Sequence, residues 1–313
     1  MIDVTPLQKP FDGDVTVGRD TYIGGSDAGV IMGMCPYKSA YTLWAEKTGK
    51  KVVEDISGKE SVWWGHYDEQ GVALRFTEKT GIKVAQSNKT YYLKEYPYMV
   101  GHIDRKVVGD HVGLECKTTT AWNRTEYDSG EIPPYHYVQC QHYMMVTGWD
   151  KWYIATKRDN TQFHILEVPR NDDFIEELLH AEIEFWDCVQ NDTPPSIDGS
   201  ASTSETISGR YAGDEDVGPV TIDSVKMKEY QAVNEQIKQL EYIKSQYENE
   251  FKATMQDATV GLCDGYTVTW KPTSTTRFDS KKLKEDDPST YNKYCKTTEC
   301  RRFTVRKVKE NNK

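Results

Sequence analysis

One feature constrains this chain more than any other: Asp104, at the end of Gly101-His102-Ile103-Asp104, and the triplet Glu115-Cys116-Lys117 that begins eleven residues later. Each belongs to an extended segment, and a Gly109-Asp110 turn between them reverses the chain. Side chains two positions apart on a strand point the same way, so the acid and the lysine of the triplet share one face. The sequence therefore predicts two neighbouring strands that bring two carboxylates and a lysine together.

Two carboxylates that converge beside a lysine form a site of hard oxygen ligands for a divalent cation. Such a cation activates a bound water, and Lys117 is placed to orient or deprotonate that water. A lysine acts as a base only if its pKa falls from its usual value of about 10.4. Neighbouring cations lower that pKa and neighbouring carboxylates raise it, so the residues leave open whether Lys117 is a base or an electrostatic stabiliser.

The composition excludes several classes of protein. No apolar run approaches the roughly 18 residues that a membrane helix needs, and the acidic first twenty residues contain no apolar stretch, so we expect no secretory signal. Seven cysteines occur without a Cys-x-x-Cys pair, which indicates a reducing, cytoplasmic compartment. The net charge is -10, yet residues 271–313 carry 13 Lys and Arg against six Asp and Glu. An acidic chain of this kind can still contact phosphates through a local basic patch.

The periodicity of the chain indicates an α/β core followed by an extension. Helices are predicted after Gly24 and over residues 39–48, 60–80, 135–147, 172–190 and 223–256, and strands over 90–93, 98–108, 112–118, 151–157, 162–168, 266–270 and 302–308. We expect a core over residues 1–195 and a linker or surface loop over 196–221, which is rich in Pro, Ser, Gly and acids. Residues 222–313 form a C-terminal extension with a long amphipathic helix and a basic tail.

Two helical residues are candidates to join the acidic strands. Glu69 could reach the same cation from the helix predicted over 60–80, although a single helical Glu is often an ordinary solvated charge. Gln139 could orient a lysine or a phosphate. Its neighbours Tyr137, His142 and Tyr143 are more typical of packing residues in a partly buried helix.

Other catalytic chemistries have no matching motif. The chain contains no His-Glu-x-x-His arrangement and no deaminase-type zinc motif, which argues against a zinc hydrolase. Ser26 lacks the Gly-x-Ser-x-Gly context of a nucleophile, and it is more typical of a helix cap that also binds an anion at the helix N-terminus. No Walker A loop is present, so nothing supports ATP hydrolysis.

Taken together, the order of helix Glu, strand Asp, strand Glu-x-Lys and helix Gln resembles the PD-(D/E)XK nuclease superfamily. The resemblance is closer to the YqaJ-like viral recombinase family, which includes the phage lambda-type exonucleases. Its marks span about Arg19 to Pro195, and Ile103 stands where the nominal superfamily motif has proline. The marks are Ile23-Gly24-Gly25-Ser26-Asp27-Ala28, Pro36-Tyr37-Lys38-Ser39, Leu43-Trp44, Gly65-x-x-x-Glu69, Gly101-x-x-Asp104, Leu114-Glu115-Cys116-Lys117-Thr118 and Gln139-x-Gln141-His142-Tyr143-Met144.

The resemblance implies a restriction-endonuclease-like α/β (α+β) core, with a central mixed β-sheet flanked by helices, and a long C-terminal helix with small strands after it. It implies a Mg²⁺-dependent exonuclease, with Mn²⁺ as a substitute, that degrades the 5′ strand of linear duplex DNA. The product is a 3′ single-stranded tail for an annealing protein in phage-type recombination. It further implies a phage or prophage protein that acts in the cytoplasm of a bacterial host, as a closed ring of several copies, with a trimer suspected.

The resemblance also assigns the metal centre by position. Asp104 and Glu115 would hold the metal, with Glu69 and the Cys116 carbonyl as further ligands. Lys117 would activate the water.

The remaining assignments concern the water and the DNA end. Gln139 would hold the water in place. Arg19 and Ser26, seven residues apart, occupy positions similar to the family's pocket for the terminal 5′ phosphate. The alternative for this pair is a surface arginine and a plain helix cap.

Two other functions stay open. One is a structure-specific or sequence-specific DNA endonuclease of the same fold, which would also cut closed circular DNA. The other is a non-catalytic DNA-binding or partner-docking protein. The presence of Asp104, Glu115 and Lys117 together argues against the non-catalytic protein, because binding alone does not need such a cluster.

Overall fold

A computed structural model of the chain describes residues 4–10, 18–119, 131–211, 213, 217–297 and 301–307. The chain divides into two compact units, Met1–Ala212 and Gly213–Lys313. The first unit combines two β-sheets with helices, and the second contains a long helix, a hairpin and two short helices. The predicted fold class, mixed α/β with flanking helices and a long C-terminal helix, is confirmed.

The strands of the first unit are β1 (Pro6–Pro10), β2 (Ile23–Gly24), β3 (Val84–Gln86), β4 (Lys89–Leu93), β5 (Met99–Gly101), β6 (Arg105–Val107), β7 (Val112–Thr119), β8 (Lys151–Arg158) and β9 (Gln162–Pro169). Its helices are α1 (Gly25–Ile31), α2 (Ala40–Lys47), α3 (Glu60–Thr80), α4 (Pro134–Thr147), α5 (Asp172–Gln190) and α6 (Ala201–Arg210), and a 3₁₀ turn covers Arg19–Thr21.

The larger sheet has the order β3-β6-β7-β8-β9, and the smaller one has the order β1-β4-β5-β2. Both sheets are mixed. In the larger sheet only β7 and β8 run parallel among the described pairs, while β6 and β7 form the predicted antiparallel hairpin. Parallel neighbours need a crossover connection, and helix α4 lies in the chain between β7 and β8.

The helices begin and end where local chemistry dictates. Ser39 caps α2 by accepting the Thr42 amide at 3.1 Å. Gly81 and Gly148 end α3 and α4 with φ of 74° and 71°, a left-handed conformation that glycine adopts without strain. Helices predicted over 60–80, 135–147 and 172–190 are confirmed to within one residue at each end.

Helix α4 is the centre of the first unit. Every residue from Val138 to Val146 is buried, and Met144 and Met145 pack in one apolar cluster with Trp152 of β8. A helix buried on all sides must satisfy its polar side chains internally. Gln139 does so by donating hydrogen bonds to Glu115 and to the Tyr143 hydroxyl.

The segment 98–108 differs from the single strand that the sequence predicts. Met99–Gly101 belongs to the smaller sheet and Arg105–Val107 to the larger one, so residues 102–104 link the two sheets. Gly101 packs so close to α4 that a Cβ atom there would lie 2.7 Å from Val146 Cγ2. Asp104 therefore ends a link between sheets and does not lie within a strand.

The segment 196–221 also differs from the expected linker, because it contains helix α6. Its Thr206 hydroxyl lies 2.8 Å from the Thr42 hydroxyl of α2, and Thr203 donates to Ser39 at 2.7 Å. Both threonines are buried. A composition of serine and threonine is typical of loops, but here the hydroxyl groups pair across two helices and extend the first unit to Ala212.

The second unit begins with the predicted long helix, α7 (Ser224–Met255). It continues with the hairpin β10 (Val260–Cys263) and β11 (Tyr266–Thr269) and the helices α8 (Ser280–Asp286) and α9 (Pro288–Tyr294). Of the strand predicted over 302–308, residues 302–307 are not in a strand and residue 308 lies outside the described residues. Among the described helices, none combines the length and apolar character required to span a membrane.

Candidate active site

A cavity of about 430 Å³ opens in the first unit, and most of the predicted site residues line it. They come from the 3₁₀ turn, α1, α3, α4, β7 and the link 102–104. The cavity-lining members of the predicted set are Arg19, Ser26, Glu69, Asp104, Glu115 and Gln139. Residues from six parts of the chain are thus brought to one place.

Asp104 lies at the wall of this cavity. Its Oδ2 accepts the backbone N–H of Cys116 at 2.8 Å, which ties the link between the sheets to β7. Desolvation, followed by the charges of Glu115 and Glu69, raises the pKa of Asp104 well above its ordinary value. The charged form of this carboxyl group is therefore costly in the protein alone.

Glu115 is almost completely buried, with 3 % of its surface exposed. Its Oε1 accepts the Gln139 amide at 2.8 Å and contacts Lys117 Nζ at 2.7 Å. Its Oε2 is buried and has no hydrogen-bond partner among the described residues. A buried acceptor without a donor costs about 1–3 kcal/mol, so this oxygen is available to a ligand in the cavity.

Lys117 and Gln139 form a chain of hydrogen bonds with Glu115. Lys117 Nζ donates to Gln139 Oε1 at 3.1 Å, and Gln139 Nε2 also contacts the Tyr143 hydroxyl at 3.0 Å. Burial alone would lower the pKa of Lys117, but the carboxylates of Glu115 and Asp104 outweigh burial and raise it. Lys117 is thus a fixed cation, and Gln139 orients it.

Glu69 contacts Arg105 in an ion pair, and Arg105 also donates to the Asp104 carbonyl at 2.7 Å. Sequence reasoning missed Arg105, although a basic residue directly after a candidate metal ligand was a visible signal. No group of three or more His, Cys, Asp or Glu side chains that could hold a metal occurs among the described residues. Asp104, Glu115 and Glu69 line the same cavity, and Glu69 is paired there with Arg105.

The donors that remain fit a hard divalent cation. Asp104 and Glu115 supply carboxylate oxygens, one of which has no other partner in the described chain, and Cys116, whose carbonyl is the further predicted donor, directly follows Glu115. Mg²⁺ and Mn²⁺ prefer oxygen ligands of this kind. The set lacks the imidazole and thiolate ligands that are typical of zinc sites.

A second charged cluster lies at the Arg19 side of the same cavity. Arg19 Nη2 donates to Asp27 Oδ1 at 2.8 Å and to Ser26 Oγ at 3.0 Å. Asp27 is buried, and burial would raise its pKa, but Lys47 and Arg19 outweigh burial and lower the pKa of Asp27. Sequence reasoning found Arg19 and Ser26 but missed the two charged partners, Asp27 and Lys47.

The start of α1 differs from the prediction that Ser26 caps it. The N-cap is Gly24, and its backbone N–H donates a hydrogen bond to Asp27 Oδ2 at 3.1 Å. The helix contains seven residues. Ser26 is therefore a partner of Arg19 at the cavity wall, and not the cap.

Residues 17–150 match the family model of the YqaJ-like viral recombinase domain. The chain is 36 % identical over 298 residues to the uncharacterized protein YqaJ of Bacillus subtilis (strain 168), and the alignment covers 93 % of each protein. This chain belongs to the YqaJ-like viral recombinase family. The predicted family is confirmed.

Solved structures are similar over about half of the chain. An alkaline exonuclease (LHK-Exo) from Laribacter hongkongensis is 17 % identical, with a TM-score of 0.48, over 56 % of this chain and 91 % of that one. LHK-Exo in complex with dAMP gives 18 % and 0.47 over the same shares. A phage related exonuclease from Haemophilus somnus 129PT gives 13 % and 0.42, over 55 % and 96 %.

Proposed function

We propose that this protein is a metal-dependent deoxyribonuclease that digests linear double-stranded DNA from its ends. The proposed polarity is 5′ to 3′, so that the product is a 3′ single-stranded tail for phage-type recombination by strand annealing. The observation that carries the proposal is the buried Glu115 Oε2, which has no partner in the described chain, beside Asp104 with its raised pKa. Membership in a viral recombinase family is consistent with it.

Asp104, Glu115 and the Cys116 carbonyl would hold Mg²⁺, with Mn²⁺ as a substitute. Such a cation, when bound, lowers the pKa of bound water and neutralises charge on a phosphate. Glu69 would join these ligands only after it leaves Arg105.

Lys117 supplies positive charge beside the scissile phosphate. Because its pKa is raised, it stays protonated at neutral pH and stabilises the negative charge that develops in the transition state. Gln139 holds the ammonium group in place through Oε1 and holds Glu115 through Nε2. We therefore propose an electrostatic role for Lys117 and not the role of a base.

Arg19 and Ser26 would bind the terminal 5′ phosphate. The Arg19 side chain is 41 % exposed and lines the same cavity as Asp104 and Glu115. An arginine fork recognises phosphate oxygens by charge-assisted hydrogen bonds. A phosphate site in one cavity with the acidic centre would place the first phosphodiester bonds of a DNA end near the metal.

The decisive experiment follows digestion of a linear duplex that is labelled at one 5′ end or at one 3′ end, with Mg²⁺. We expect early release of the 5′ label, retention of the 3′ label, and no digestion in EDTA. Covalently closed circular DNA is the control. Cutting of closed circles would show an endonuclease, and full activity in EDTA would refute the metal centre.

The proposal includes partners that the family resemblance suggests. These are duplex DNA ends, an annealing protein, and further copies of the chain in a closed ring, with a trimer as the first expectation. The place of action would be the cytoplasm of a bacterial host, with a phage or prophage as the source. Light scattering after size-exclusion chromatography tests the ring, and a mass of about 36 kDa would contradict it.

A further inference from the structure

A buried lysine joins the Arg19–Asp27 pair from the end of α2. Lys47 Nζ donates to Asp27 Oδ2 at 3.0 Å and to the carbonyl oxygens of Arg19 and Tyr22 at 2.7 and 2.5 Å. An ammonium group has three protons, so these three acceptors use all of them. The Lys47 side chain is 3 % exposed. It therefore fastens the backbone of residues 19–22 to α1 and α2.

Asp27 lies between the two cations and divides its oxygens between them. Oδ1 accepts from Arg19 Nη2, and Oδ2 accepts from Lys47 and from the Gly24 amide. Among the described residues, the side-chain hydrogen bonds of Arg19 all come from Nη2. One corner of the guanidinium group is thus fixed, and Nε and Nη1 remain for a ligand in the cavity that Arg19 lines.

The charges of the three residues do not cancel. Arg19 and Lys47 carry two positive charges and Asp27 carries one negative charge, so the cluster has a net charge of +1. Arg19 and Asp27 alone would form a neutral pair. A neutral pair gives no net attraction for an anion, whereas one unbalanced positive charge at a partly desolvated wall attracts a phosphate strongly.

We propose that Asp27 and Lys47 are positioning residues, which aim the Arg19 guanidinium group at a terminal 5′ phosphate and leave the cluster one positive charge for it. This inference rests on the proposed function, because it deepens the role given to Arg19. Neither residue touches the DNA. Asp27 sets the orientation of Arg19, and Lys47 sets the charge of the cluster and the path of the 19–22 backbone.

The test compares DNA ends that carry a 5′ phosphate with ends that carry a 5′ hydroxyl. The quantity is the ratio of the two digestion rates, and in parallel the ratio of the two dissociation constants for short hairpin duplexes in EDTA. Substitution of Arg19→Ala should bring both ratios close to one. Lys47→Gln removes the excess positive charge and should lower both ratios by about tenfold from the unsubstituted protein. Asp27→Asn adds to the positive charge of the cluster, and it should still lower both ratios, because the carboxylate that orients Arg19 is lost.

The matched control is Glu182→Gln. Glu182 is fully buried, and its Oε1 lies 2.7 Å from His142 Nδ1, so this variant also removes a buried charge in the first unit. It should lower stability and leave both ratios unchanged. Lys47→Gln keeps a donor for the backbone carbonyls, and it serves as the second variant if Asp27→Asn does not fold, as judged by circular dichroism.

The outcomes separate this inference from the proposed function. Ratios near the unsubstituted value in both folded variants would overturn it, and so would a ratio of one in the unsubstituted protein that still digests DNA. Loss of the Asp27→Asn effect in an Arg19→Ala background would support it, since Asp27 then acts through Arg19. If no DNA is digested, the proposed function fails, and the dissociation constants still decide the role of Asp27 and Lys47.

Discussion

Asp27 and Asp104 are two carboxylates of the first unit with opposite electrostatic settings. Asp27 faces two cations, Lys47 and Arg19, which overcome burial and lower its pKa. Asp104 is desolvated beside two further carboxylates, Glu115 and Glu69, and its pKa is raised well above the ordinary value. The residue type is the same, and the neighbouring charges decide which protonation state the protein favours.

The difference shows which kind of ligand suits each of the two clusters. The Asp27 cluster pairs its carboxylate with both of its cations and has one positive charge in excess, which suits an anion. The Asp104 centre gathers three carboxyl groups, those of Asp104, Glu115 and Glu69, and one oxygen without a partner in the described chain, which is a donor set that suits a cation. The side-chain arrangement at a functional site commonly makes a protein less stable than an arrangement optimised for stability alone would. Asp104, whose charged form is disfavoured, is expected to belong to such an arrangement, whereas Asp27 combines its role beside Arg19 with a stabilised charge.

The largest expected effect is that of Asp104→Asn on cleavage. The digestion rate should fall by about a thousandfold or more, because the change removes a charged ligand from the centre. The free energy of unfolding should stay the same or rise by about 1 kcal/mol, because the substituted group carried an unfavourable charge. Digestion rates and urea unfolding measure the two quantities. Asp110→Asn, on the exposed turn of the same hairpin, should retain full activity; an active Asp104→Asn variant would refute the metal centre.

The opposite pattern is expected for Asp27→Asn in unfolding experiments. The substitution leaves the ammonium group of Lys47 buried beside Arg19 without a counter-charge, and breaking a buried ion pair in this way costs about 3–5 kcal/mol. Urea unfolding at neutral pH measures the loss. A loss below about 1 kcal/mol would show that the cluster does not contribute to the stability of the fold.

Mg²⁺ without DNA should stabilise the protein. A ligand that binds only the folded state adds about 2.7 kcal/mol at a concentration of 100 Kd. The rise in Tm should appear in the unsubstituted protein and in Asp27→Asn, and it should be lost in Asp104→Asn. An equal rise in all three would mean that Mg²⁺ binds elsewhere, whatever the activity of the protein.

The smallest effect is the dependence of stability on pH. The raised pKa of Asp104 means that the folded state takes up a proton before the unfolded state does, so stability should increase as the pH falls towards about 3.9, by about 1.4 kcal/mol for each unit of pKa shift. The lowered pKa of Asp27 has the opposite sign, because its contribution is present above about 3.9 and is lost as the pH falls through the lower folded pKa. Unfolding free energies between about pH 2 and about pH 8 measure both. Asp104→Asn should remove the first change only, and a curve identical to that of the unsubstituted protein would contradict the pKa direction.

The local parts of this structure could be predicted from the sequence. The helix ends at Gly81 and Gly148 follow from glycine chemistry, and the β6–β7 hairpin follows from its turn and its alternation. The approach of Asp104 to Glu115 follows from the same pattern. In each case the information lies within a few residues of the feature itself.

The parts that could not be predicted depend on contacts between distant segments. The hydroxyl groups of α6 pair with α2 about 160 residues away, so their composition alone favoured a loop. Lys47 binds Asp27 from 20 residues away, and a helical lysine gives no sign that it is buried. The ion pair of Arg105 with Glu69 likewise required the fold before it could be seen.

The link of three residues between the sheets has a mechanical consequence. Asp104 is positioned by two separate frameworks at once, through Gly101 packed on α4 and through the Cys116 amide of β7. A small displacement of one sheet relative to the other would move this carboxylate, because a link of only three residues is too short to absorb the displacement. A change that shifts one sheet relative to the other is therefore expected to move the Asp104 carboxylate relative to Glu115.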